Sequence, residues 1–105
     1  MLNEVEIINE AKNQTGLANF GNPLFMNGFE VLISSINQEA DLNEIGVEAQ
    51  KHRLIGILAN ILRIENALME NPEILEEEIK SPVVIVGLPR TGSTMTHRLL
   101  ASDPN

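Results

Sequence analysis

Residues 83–100 read VVIVGLPRTGSTMTHRLL, and the order of residue types in them predicts a strand, a loop and a helix in succession. Val83, Val84, Ile85 and Val86 form an uninterrupted β-branched run, the pattern of a strand buried on both faces of a parallel sheet. Gly87, Pro89 and Gly92 then make a tight turn of small residues. Ser93 and Thr94 stand where a helix beginning near Met95 has backbone N–H groups without intrahelical acceptors. Such a loop aims several donors and the positive end of a helix dipole at one point, which suits a tetrahedral oxyanion. Arg90 adds a permanent charge on a planar fork of donors, and Thr91, Ser93 and Thr94 add hydroxyl groups.

Working outward, the strand asks for more than the chain holds. A parallel neighbour requires a crossover connection, and the residues after Val86 are mostly taken up by the loop and helix. The expected architecture is therefore α/β and incomplete. Residues 1–80 are read as a helical amino-terminal region, and residues 81–105 as the first strand, phosphate-binding loop and helix of a P-loop-like parallel-sheet domain whose remainder lies outside the chain. With both faces and both edges seeking partners, the strand also predicts self-association of the isolated chain.

Composition sets the limits. The chain has 105 residues, enough for one small domain with a core. It has no cysteine, which excludes disulfides and thiolate metal sites, and only His52 and His97 offer imidazole, so no metal centre is expected. The net charge is −8, but residues 1–80 carry −9 and residues 81–105 carry +1, which makes the loop a basic island. So negative a chain lacks the broad cationic surface that nucleic acid requires, while one anion pocket remains compatible. The start, MLNEVEIINE, is acidic and unlike a secretory signal, and LIGILANIL (residues 54–62) is far short of a membrane span. A soluble, cytoplasmic chain is expected.

Upstream, Leu2, Val5, Ile8 and Ala11 suggest a short amphipathic helix ending near Gly16. Asn22-Pro23 has the form of a cap with proline in the first helical position, ahead of Leu24, Phe25, Phe29, Leu32, Ile33 and Ile36. The three phenylalanines, all within residues 20–29, are read as core. Asp41 and Glu44 resemble a capping box opening a helix of roughly seven turns that ends before Asn71-Pro72. A short acidic helix follows, its Glu76, Glu77 and Glu78 pointing in different directions and so unsuited to a cation site. His52, between Lys51 and Arg53, is read as a surface histidine, and His97 as a packed or capped helix histidine.

Gly87 and Gly92 have the glycine spacing of a Walker A loop, but Ser93 stands where the phosphate-binding lysine belongs, which disfavours an ATPase or kinase. GLPRTGST followed by HRLLASDPN resembles the 5′-phosphosulfate loop of sulfotransferases that use 3′-phosphoadenosine-5′-phosphosulfate (PAPS), most closely the bacterial-type branch. TGLANFG and the helices after it resemble that branch's amino-terminal extension. The resemblance implies that Arg90, Thr91, Gly92, Ser93 and Thr94 bind the donor's 5′ end. It makes Arg90, where many relatives have lysine, the catalytic cation that neutralises the bridging oxygen as the sulfuryl group leaves. It also implies a small-molecule acceptor with a hydroxyl or amine, no metal, and a general base and 3′-phosphate grip from later sequence, so that the chain alone is expected to be inactive. Two other readings stay open: a nucleotide kinase or hydrolase with an atypical P-loop, and a non-enzymatic helical interaction protein.

Overall fold

Asparagine side chains open all three amino-terminal helices. In the computed structural model, which describes residues 1–104, α1 (Glu4–Thr15) is capped by Asn3, whose Oδ1 accepts from the Glu6 N–H at 3.0 Å. It ends at Gly16, left-handed with φ 67°, a conformation that favours a residue without Cβ. At the start of α2 (Leu24–Glu39), Asn22 accepts from the Leu24 N–H at 3.0 Å, and Pro23 occupies the cap rather than the first helical position. The cap of α3 (Glu44–Glu70) is Asn43, accepting from the Gly46 N–H at 2.8 Å, and not Asp41, which lies two residues earlier with φ 44°. At 27 residues α3 is about 40 Å long.

The core forms where these helices meet. Ile7 and Ala11 of α1, Phe29 and Ile33 of α2, and Leu54, Ile55, Leu58 and Leu62 of α3 form one buried cluster with Leu2. The three-residue spacing Leu2, Val5, Ile8, Ala11 does not make a single buried face: Val5 is 64% exposed, and Ile7 takes its place. Each three-residue step falls about 60° short of a full turn, so the face is kept by the four-residue pair Ile7 and Ala11. Asn37 of α2 clasps the start of the chain, accepting from the Leu2 N–H at 2.8 Å and donating to the Leu2 carbonyl at 2.9 Å. Lys51 of α3 pairs with Glu6 of α1. The phenylalanines serve the core as expected: Phe29 is buried, and Phe20 and Phe25 pack against it with ring centroids 5.4 Å apart.

After Asn71 the character changes. A 3-10 turn (Pro72–Glu76) stands where a short acidic α-helix was expected. None of its residues is buried, and a helix so short has no packing to support it. Residues 83–86, expected to be a strand, form none, and among the described residues every element is helical, without the expected sheet. A strand exists by exchanging hydrogen bonds with a neighbour, and among the described residues none exchanges backbone hydrogen bonds with this segment. Val83, Val84 and Val86 are 76–88% exposed, and Ile85 is half-buried. α4 (Ser93–Ala101) begins two residues earlier than expected, which makes Ser93 and Thr94 its first turn. Asn105 lies outside the described residues. The radius of gyration is 17.7 Å, against about 13 Å for a compact domain of this length. Among the described residues no helix is long and apolar enough to cross a membrane.

Candidate functional site

The loop between Val86 and α4 is held by its own small residues. The Thr91 hydroxyl donates to the Leu88 carbonyl at 2.6 Å, closing the turn. A Cβ at Gly87 would come within 2.9 Å of that same Thr91 oxygen, so the turn is this tight because residue 87 has none. Arg90 (φ 65°) and Gly92 (φ 89°) are both left-handed, and together they swing the chain from the loop into the helix. Holding Arg90 in this region costs about 1–2 kcal/mol, so the loop stores strain at the residue that carries its charge.

Gly92 is also the N-cap of α4, a position where Ser, Thr, Asp or Asn would normally accept from the first N–H groups. Glycine brings no side-chain acceptor. The Gly92 carbonyl takes the Thr96 N–H at 3.0 Å and the Thr96 hydroxyl at 3.1 Å, and among the described residues nothing takes the N–H groups of Ser93, Thr94 and Met95. The first turn thus presents three free donors and the positive end of the helix.

These donors open into a cleft of about 590 Å³ bordered by Arg90 and Gly92 from the loop and by Ser93, Thr94 and Arg98 from α4, with Met95 and Leu99 as apolar wall. No carboxylate lines it. Among the described residues the ion pairs are Lys51 with Glu6 and Lys80 with Glu78, so Arg90 and Arg98 face the cleft with their charges unneutralised. The fold brings four of the five expected binding residues, Arg90, Gly92, Ser93 and Thr94, to one place. Thr91 does not border the cleft, because its hydroxyl proton is directed at Leu88.

Arg98 is the residue that sequence reasoning passed over. The available signal was spacing: Thr94, Arg98 and Ser102 recur every four residues and line one side of the cleft. His97, one residue away and so turned by about 100°, faces Val83 and Ile85 instead. His52 is exposed on α3. Among the described residues no three His, Asp or Glu side chains gather as a cation site.

Comparison with known proteins gives two findings. Residues 82–105, the loop and α4, match a protein-family model described as "Sulfotransferase family". The crystal structure of a sulfotransferase from Mycobacterium tuberculosis matches with a TM-score of 0.91 and 32% sequence identity, over 98% of this chain and 29% of that one. The likeness therefore takes in the three amino-terminal helices as well as the loop, and this chain spans less than a third of that sulfotransferase. Among curated proteins nothing matches.

Proposed function

This chain belongs to the sulfotransferase family, and from that premise we propose that its loop binds the 5′-phosphosulfate end of PAPS in an enzyme that transfers the sulfuryl group to a hydroxyl or amine. The observation that carries the reading is the uncapped first turn of α4 meeting Arg90 in a cleft free of carboxylates. The N–H groups of Ser93, Thr94 and Met95 are the right donors for a phosphate, and the Ser93 and Thr94 hydroxyls extend the set. Each such hydrogen bond to an anion contributes about 1.5 to 3 kcal/mol, so a few of them offset the repulsion of an acidic chain.

In the transfer step the bond between sulfur and the bridging oxygen breaks, and its electron pair passes to that oxygen. Arg90 neutralises this growing charge with a side chain that cannot itself lose a proton. Its strained backbone places the cation at the loop's apex. Gly87, Thr91 and Gly92 set the turn that aims the donors. In the complete enzyme, residues 83–86 take a strand's place in a parallel sheet, which gives the loop its rigid base. The acceptor, the general base and the residues that hold the 3′-phosphate belong to other parts of that enzyme, and the reaction proceeds without a metal.

Two measurements test this. In the sulfotransferase that carries this sequence, Arg90→Ala should weaken donor binding and slow transfer together, lowering kcat/KM by about 2 to 4 kcal/mol. Unchanged kinetics would remove Arg90 from the site. Amide resonances of the chain, titrated with adenosine 3′,5′-bisphosphate, should move most at residues 92–95. Stronger binding of magnesium ATP at the same amides would turn the reading towards a nucleotide kinase or hydrolase.

A further inference from the structure

We propose that Arg98 is a second cationic grip on the donor, one that acts on binding and leaves the chemical step to Arg90. The inference rests on the reading of the cleft as the PAPS 5′ site and adds a residue to it. Arg98 lies on α4 four residues after Thr94 and borders the same cleft as Arg90, which approaches from the loop. Side chains on a helix lean towards its N-terminus, and Arg98 stands one turn after Thr94 on the wall that leads to the free N–H groups. It forms no ion pair with any described residue, in a chain where acidic groups outnumber basic ones fifteen to seven.

A phosphosulfate carries negative charge on both its phosphate and its sulfate. A site with cations on two walls meets both. Arg90 sits on the strained turn beside the departing oxygen, whereas Arg98 stands on a regular helix and attracts the anion equally before and during transfer. A contact of that kind changes KM and leaves kcat almost unaltered. The competing role for Arg98 is structural, as a cation in the last turn of α4 that favours the helix dipole.

The test uses the 105-residue chain with adenosine 3′,5′-bisphosphate as probe, followed by amide and arginine Nε resonances across a salt series. Wild-type chain, Arg90→Gln, Arg98→Gln, Arg98→Met and Arg98→Lys are compared, with circular dichroism as the check on helix content. The proposal expects Arg98→Gln and Arg98→Met to weaken binding about tenfold, with a shallower salt dependence, and Arg98→Lys to recover most of the loss. It also expects the wild-type Arg98 Nε–H to shift on titration. If Arg98→Gln binds like wild type while Arg90→Gln does not, the grip is overturned and the site reading stands. A loss of helix content without a loss of affinity assigns Arg98 to the dipole and overturns it equally. If the wild-type chain shows no response to the probe at residues 92–95, both fall together.

Discussion

Leu58 and Val84 are both branched apolar residues with apolar neighbours, yet Leu58 is 2% exposed and Val84 is 76% exposed. The contrast runs through the whole chain. Among the described residues every buried one lies at or before Leu62, and after Asn71 only Ile85 is even half-buried. A helix satisfies its own backbone and needs only a side-chain stripe covered, which two further helices of the same chain can do. An extended apolar run needs hydrogen-bonding neighbours for its backbone as well as cover for its faces. The packed region therefore carries the stability, and the region with the loop and α4 holds the candidate site without sharing the core.

That division can be broken most forcefully from the packed side. Leu62→Ala removes a fully buried side chain and should cost about 2 to 5 kcal/mol in urea unfolding, whereas Val84→Ala should stay within about 0.5 kcal/mol. Equal losses would mean that Val84 is covered in solution, by association if the loss depends on concentration. A smaller effect is expected at the clasp between Asn37 and Leu2. Asn37→Ala deletes both of its hydrogen bonds to the Leu2 backbone and should lower stability by about 1 to 2 kcal/mol. The amides of residues 93–101 should be unaffected, and a shift there would show that the two regions are coupled.

The smallest effect concerns pH. The hydrogen bond to Glu6 holds Lys51 above the ordinary lysine value of 10.5, helped by the charges of Glu6, Glu48 and Glu10 and opposed by partial burial. A pKa raised on folding means that the pair's contribution is complete below 10.5 and is lost as pH rises through the folded value. Thermal unfolding between about pH 9 and 12 should show a slight alkaline decline that Lys51→Met lacks. An identical decline in both chains would assign it to other groups.

The helices were legible because their requirements are local. The recurrence of Phe29 and Ile33, or of Ile55, Leu58 and Leu62, is written within a few turns. Caps were legible in kind but displaced in position: Asp41 looked the better acid for the third helix, but its left-handed backbone leaves the work to Asn43. Residues 83–86 were read as a strand from composition, which records a preference for a sheet and not the presence of one. The loop residues were legible for the same reason as the helices, since tight turn, free donors and charge all sit within eight positions. Arg98 was passed over because its four-residue spacing from Thr94 and Ser102 marks a shared helix face and not the cleft that Arg90 and Gly92 complete.

The bare stretch between the 3-10 turn and the loop also fixes where the chain is open to cutting. A protease must draw several residues into extended form, which exposed chain without helical or sheet bonds allows and a packed helix resists. Lys80 lies in such a stretch, with Ser81 (φ 51°) after it, and Arg90 lies at the loop's apex. Lys51, Arg53 and Arg63 are inside α3, and Lys12 is inside α1. Brief trypsin treatment therefore releases residues 1–80 as a resistant piece before any helix is nicked. Ligand held in the cleft would show itself as a slower cut at Arg90 with no change at Lys80.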